Sequence, residues 1–381
     1  MELSTTDPLV VPKKQNLEAP PLEPATPPEP APPLPHQLTS PSSFVSTHLS
    51  HPLSIIDLRL LSHFTALRLS PLPPPLALCN LPFATLDSRA CELPPRNVAF
   101  DLILAPELDP QEQLEFFKAT VSKATGASRK PWSVRNASIA TPDLFSFLPP
   151  PSLICDIPAP QPGPRMWKPD PMVEFVLQPL LAAARPTDGC TIVDLGSGAG
   201  RDVAFLAESL QGDPSLQGDP SPPFTIIGVD YHKGSPKRCL PLWESRRVSH
   251  VTEHRSTNLK KAAEFQELLD DLPAPVHCLY AVRFLDRSLF KTIASGDCIP
   301  PNAYFALTHF TTRPDGSFPF AHPKISEVLQ PNELNKLFEG EEWEIVHDKV
   351  TTDSDFGRTL LNFVVRRVGG GNKVTQGADG V

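Results

Sequence analysis

The 381-residue sequence contains no C-x-x-C pair, no apolar run of membrane-spanning length and no signal-peptide core near its first residue. The first absence argues against a zinc ribbon, whose ligands come in such close pairs. The seven cysteines are odd in number and widely spaced, which fits a reduced intracellular chain better than a disulfide framework. The second absence argues against a membrane protein. The third, with the early acids, argues against secretory and transit peptides, so a cytoplasmic location is expected. An excess of positive charge is also missing. With a net charge of −9 and a pI of about 5.7, no nucleic-acid surface covers the whole chain, and nucleic acid is not indicated as a partner.

Proline is present in quantity, with 49 residues, many of them before residue 50 in runs such as LEAPPLEPATPPEPAPPLP. Such a segment buries too little apolar surface to offset its ordering entropy. Residues 1–49 are therefore expected to be a disordered tail with polyproline II character. It reads first as a solvated tail and second as a ligand for a proline-binding protein. The rest divides into a folded unit at 50–150, a linker at 151–164, a second unit at 165–368 and a flexible tail at 369–381.

The second unit is organised around Thr191–Leu206, TIVDLGSGAGRDVAFL. Ile192 and Val193 suit a buried parallel strand that ends at Asp194. Gly196, Gly198 and Gly200 let the backbone turn tightly and leave room for a ligand, with Ser197 between the first two. A helix follows from Arg201, and its start offers free amides and a positive dipole end. The next strand, Phe224–Val229, carries Asp230 at its tip, with Tyr231 beside it. In nucleotide-binding α/β folds such an acid stands about 20 residues beyond the glycines. Here it stands 30 beyond Gly200, because LQGDPS occurs twice in tandem at 210–221; removing the twelve repeat residues leaves 18. The duplication reads as a surface loop insertion.

The glycine spacing is G-x-G-x-G, not the G-x-G-x-x-G of dinucleotide folds, which disfavours a nicotinamide oxidoreductase. The string D-x-G-x-G-x-G resembles motif I of the class I S-adenosylmethionine-dependent methyltransferases. The resemblance implies a doubly wound seven-stranded α/β sheet. It places Asp194 near the cofactor's methionine portion and Asp230 on its ribose hydroxyls. RMWKPDP at Arg165–Pro171 and RFLDR at Arg283–Arg287 resemble strings of a tellurite-resistance-like branch of that family. The family's N-P-P-Y or D-P-P-Y tetrad is absent, which lowers DNA adenine and glutamine as acceptors.

Other candidates follow from position in this unit. Trp167 either lies over the cofactor or plugs the domain junction, while Arg165 and Lys168 either meet anions or are solvated. Asp170 and Pro171 open a helix that Pro179 is expected to kink or shorten. A third strand is expected at 250–253. Asn258 is the candidate for the adenine amino group, with a helix-cap role as the competing reading. Arg283, at the tip of strand 276–282, is the candidate for an anionic substrate or the cofactor carboxylate, with a structural pair to Asp286 as the competing reading. His309, at the tip of strand 302–310, is the candidate base. The loop TTRPDGSFPFAHP that follows reads as a substrate lid. Two last strands, 344–350 and 359–366, match the closing antiparallel pair of the class I fold. No ligand cluster suggests a metal.

The first unit shows apolar strands at 53–58 and 98–104 and a helix at 111–120, the marks of a small α/β domain. IIDLR, NLPF and SRACELPPR, followed by an apolar strand, resemble a rhodanese domain. A sulfurtransferase needs a cysteine just after its central strand, cradled by amides that lower its pKa. After FDLILA the chain has Pro106, Glu107 and Leu108 instead. The unit is thus expected to be dead for sulfur transfer, with Asp57 and Arg59 as a structural ion pair.

The expected function is transfer of a methyl group from S-adenosylmethionine, by in-line displacement, to an unidentified small-molecule acceptor. A small or soft nucleophile such as a thiol or chalcogen is favoured. The alternative is a catalytically inactive cofactor-binding scaffold or regulatory subunit. A protein partner would engage the first unit or the Pro-rich tail.

Overall fold

The computed structural model describes residues 38–69, 78–119, 130–147, 153–155, 165–182, 189–211, 224–296, 298–353 and 357–368. The Pro-rich tail up to residue 37, most of the 151–164 linker, the repeat from residue 212 and the tail from 369 lie outside the described residues.

The first half runs α1 (Pro41–Ser50), β1 (Ile55–Asp57), α2 (Leu61–Ala66), β2 (Leu67–Leu69), β3 (Leu78–Asn80), α3 (Leu86–Arg89) and β4 (Phe100–Leu104), followed by α4 (Pro110–Lys118), β5 (Val134–Ile139), α5 (Pro142–Ser146) and β6 (Leu153–Cys155). Four strands form a parallel sheet in the order β3-β1-β4-β5, and β2 pairs antiparallel with β6. The residues of β1 and β4 are all buried, Asp57 and Asp101 included, which is why the strands read as mainly apolar rather than alternating. One face packs on Phe117, Trp132 and Leu114; the other packs on Phe44, Val45, Leu144 and Phe145. Helix α4 starts where Asp109 accepts the Gln111 N–H at 2.7 Å, with Pro110 in the first turn. The expected α/β character of this unit is met, although its second strand starts two residues late because Val98 lies on the surface.

The second half runs α6 (Pro171–Ala182), β7 (Cys190–Leu195), α7 (Arg201–Gln211), β8 (Phe224–Val229), α8 (Ser235–Ser245) and β9 (Thr252–Arg255). It continues with α9 (Ala262–Asp270), β10 (Val276–Val282), α10 (Arg287–Ala294), β11 (Tyr304–Phe310), α11 (Glu333–Leu337), β12 (Trp343–Thr352) and β13 (Thr359–Arg367). The seven strands lie in the order β12-β13-β11-β10-β7-β8-β9. Five are parallel, and β13 runs antiparallel to both β11 and β12. This is the expected seven-stranded sheet with its closing antiparallel pair. The chain winds outward from β7 to β9 on one side and from β10 on the other. The topological switch, where open α/β sheets bind ligands, thus falls between β7 and β10.

Two details differ from expectation. The third strand lies at Thr252–Arg255, because Val248–Val251 is a turn closed by the Val251 N–H on the Val248 carbonyl. Helix α6 is not shortened by Pro179 but continues to Ala182.

Candidate functional site

The turn from β7 to α7 sits at the switch point. Gly196, Gly198 and Gly200 all have left-handed φ, at 84°, 57° and 70°, but their surroundings differ. A Cβ on Gly200 would lie 2.6 Å from Trp243 Nε1, and one on Gly196 would lie 2.8 Å from the Phe284 side chain. A Cβ on Gly198 would meet nothing closer than the Gly196 carbonyl at 3.9 Å. The outer glycines are therefore required by close packing, and the middle one borders open space. The turn is also tied to its neighbours. The Gly196 and Ser197 N–H groups both donate to the Val229 carbonyl, at 2.8 and 3.0 Å, and Trp243 Nε1 donates to the Gly200 carbonyl at 2.9 Å.

Asp230 meets this turn directly. Its Oδ2 accepts the Gly198 N–H at 3.0 Å, and its Oδ1 accepts the His232 N–H at 2.8 Å. A carboxylate oxygen has two acceptor directions, so each keeps one for a ligand. Asp194 lies deeper, 3 % exposed. Burial, then the like charges of Asp202 and Asp230, push its pKa well up. Burial likewise raises Asp170, and pushes Asp202 up to about 6. Asp202 Oδ1 accepts the Asp170 N–H at 3.0 Å, which ties the start of α6 to the start of α7.

The residues fit a polar ligand here by one further sign. Seven buried side-chain polar atoms among the described residues have no hydrogen-bond partner. Four of them, Ser197 Oγ, His254 Nε2, Tyr280 Oη and His309 Nδ1, belong to the glycine turn and to β9, β10 and β11. Each such orphan costs about 1–3 kcal/mol, so the two placed in the turn and beside Asp194, Ser197 Oγ and Tyr280 Oη, mark a place for ligand or ordered water. Tyr280 Oη faces the Asp194 carboxyl without closing a bond of ordinary geometry. Ser197 Oγ points inward, close to where a Cβ on Gly228 would stand.

The other sequence candidates are placed as follows. Trp167 is 4 % exposed in the core formed with Met172, Val203 and Phe205, so it offers a ligand little area. Arg165 donates to Glu208 Oε2 at 3.1 Å rather than standing free for an anion; Lys168 is exposed. Tyr231 is 56 % exposed beside Asp230. Asn258 serves a helix start: its Oδ1 accepts the Lys260 N–H at 3.2 Å, and its own N–H donates to Glu264 Oε2 at 2.9 Å. Arg283 holds a left-handed φ of 57°, a strain that costs a non-glycine residue about 1–2 kcal/mol. Its N–H donates to the Thr308 carbonyl at 2.7 Å, and its half-exposed guanidinium lies 3.9 Å from Asp353 Oδ2.

His309 is 5 % exposed, and its Nε2–H donates to the Glu327 carbonyl at 2.9 Å, which leaves the lone pair on Nδ1. Burial lowers its pKa, so the ring is neutral at physiological pH. That lone pair is buried, covered by the protein. Sequence reasoning missed Tyr280, Asp202 and His254. Their signal was present as polar residues in a strand or helix start facing the glycine turn. The contact of Phe284 with Gly196 left no signal at all.

At the matching end of the four-stranded sheet, Asp57 and Arg59 form the expected buried ion pair at 2.7 Å. Burial pushes the Cys91 thiol up to about 11 and Cys79 up to about 12, so neither is a thiolate.

No protein-family model matches the chain, and no curated protein matches it. Solved structures give distant likenesses. TehB from Haemophilus influenzae is 15% identical with a TM-score of 0.36, over 51% of this chain and 62% of that one. The chain thus spans less than two thirds of TehB. A geranyl diphosphate methyltransferase, in complex with GPP and sinefungin, is 12% identical with a TM-score of 0.37, over 51% and 77% of the two chains. The 1,6-didemethyltoxoflavin-N1-methyltransferase of Burkholderia thailandensis, with bound S-adenosylhomocysteine, is 16% identical with a TM-score of 0.34, over 51% and 76%.

Proposed function

We propose that this chain is an S-adenosylmethionine-dependent methyltransferase acting on a small, soft nucleophile. The observation that carries the reading is the bond from the Gly198 N–H to Asp230, which joins the open glycine turn to a carboxylate 32 residues away. When bound, the cofactor supplies a methyl carbon on a sulfonium, open to in-line attack, with S-adenosylhomocysteine as the leaving thioether. In this reading Asp230 holds the ribose hydroxyls with its free acceptor directions, and the space over Gly198 admits the nucleoside. Asp194 and Tyr280 stand under the methionine portion. Arg283 presents its half-exposed guanidinium to an anionic acceptor at the mouth of the crevice.

The covered Nδ1 of His309 favours the soft class of acceptor. A thiolate or chalcogen oxyanion arrives deprotonated and needs chiefly alignment and exclusion of water. An oxygen or nitrogen acceptor needs a base. The same covered histidine also favours a second reading, a cofactor-binding scaffold without turnover. Radiolabelled methyl transfer into a fractionated extract, and onto a thiol and tellurite panel, separates the two. Label in an acceptor supports the enzyme; cofactor binding without label in any fraction supports the scaffold.

For the first unit we propose a degenerate rhodanese-like domain, supported by its parallel sheet and by the missing cysteine after β4. Among the described residues no helix is long and apolar enough to cross a membrane. Cytoplasmic location remains our proposal.

A further inference from the structure

Among the described residues, helix α3 and the turn Ala90–Glu92 after it pack against helix α8 of the second unit. There Arg89 and Glu92 pair at 2.9 Å, Glu92 Oε2 lies 3.2 Å from Ser245 Oγ on α8, and the Cys91 thiol lies 3.9 Å from the Arg238 carbonyl. The Cys91 carbonyl accepts a hydrogen bond from Arg201 Nε. Arg201 is the residue directly after Gly200 and opens α7.

Arg201 is poorly suited to its helix. A cation in the first turn opposes the dipole. Burial lowers its pKa and Arg283 adds to that, while Asp202 and Glu92 support its charge from beyond ion-pair distance. A residue that breaks a local rule while held by another unit marks a functional constraint rather than a stabilising one.

We propose that Arg201 is a positioning residue through which the first unit holds the glycine turn in ligand-ready shape. Gly200 is gripped on both flanks. Trp243 Nε1 takes its carbonyl, while the next side chain is anchored on Cys91. Gly200 N–H in turn donates to the Ser197 carbonyl at 2.8 Å, which sets the direction of the adjacent Gly198 N–H toward Asp230. The first unit is thus a working part of the cofactor site. What the turn holds rests on the methyltransferase reading; that the corner shapes the turn does not.

The test is hydrogen–deuterium exchange on the full, ligand-free chain. In Arg201→Gln, amides from Ser197 to Ala204 exchange about 10-fold faster, and Arg201→Lys restores most of the protection. Glu92→Gln gives a smaller rise alone and no further rise in the Arg201→Gln background, because both act through the Ala90–Glu92 turn. Unchanged exchange in Arg201→Gln, or fully additive effects of the pair, overturns the proposal. Titration with S-adenosylhomocysteine runs alongside, and Arg201→Gln weakens binding about 10-fold. The exchange effects in the variants, together with wild-type protein that does not bind S-adenosylhomocysteine, defeat the methyltransferase reading and uphold the clamp.

Discussion

After β4 the chain turns through Ala105–Asp109, and the fully buried Gln113 reaches back to fill that turn. Its Oε1 accepts the Ala105 N–H at 2.9 Å and its Nε2 donates to the Ala105 carbonyl at 3.0 Å. After β7 the chain turns through Gly196–Gly200, and no side chain fills the middle. Both turns end parallel strands at the edge where ligands bind. One satisfies its backbone from within, and the other leaves an open glycine, a carboxylate with spare acceptor directions, and Ser197 Oγ and Tyr280 Oη without hydrogen-bond partners. The two edges differ here in unfinished hydrogen bonding, not in strand content.

The contrast can be broken by substitution. The largest effect is expected at Gly200→Ala, where the left-handed φ and the approach to Trp243 combine to cost about 3–5 kcal/mol, seen as a fall in Tm. Gln113→Ala leaves the buried Ala105 N–H without a partner and its carbonyl with only the 3.4 Å bond from the Leu108 N–H, and should cost about 1–3 kcal/mol in urea unfolding, with unchanged affinity for S-adenosylhomocysteine in the folded protein. A loss of affinity there would erase the distinction between the two turns.

Asp202 provides a pH test. Its folded pKa of about 6 lies above the unfolded value near 4, so between those limits the folded chain holds a proton that the unfolded chain has released. Stability therefore falls as pH rises through that window and stays lowered above it. Asp202→Asn keeps an oxygen for the Asp170 N–H and should flatten part of that slope, with Asp170 and Asp194 supplying the rest. An unchanged slope would show that Asp202 titrates normally. The smallest stability effect is expected at Gly198→Ala, about 1–2 kcal/mol from φ alone, since its Cβ enters open space. Its effect on ligand affinity should be the larger one, which sharpens the contrast with Gly200.

Much of this was legible in the chain. The buried strands announced themselves as apolar runs, and the glycine turn with Asp230 could be found by spacing once the LQGDPS duplication was set aside. The edge strand β9 begins two residues later than the sequence suggests because TEHR is polar throughout and carries no apolar signature. The covering of His309 by a carbonyl 18 residues away and the reach of Arg201 to Cys91 across 110 residues were not legible. Such contacts depend on tertiary approach, which local pattern does not encode. Trp167 shows the same limit: its sequence position fits both a lid and a plug, and its packing against Met172, Val203 and Phe205 is visible only in the fold.

The central claim is that Asp230 and the open glycine turn together hold an adenosine-bearing cofactor. Isothermal titration of the full chain with S-adenosylhomocysteine, beside Asp230→Ala, tests it directly. Saturable one-site binding by the wild type, weakened at least about 10-fold by the substitution, is the required result. No binding by the wild type, or equal affinity in both proteins, contradicts it.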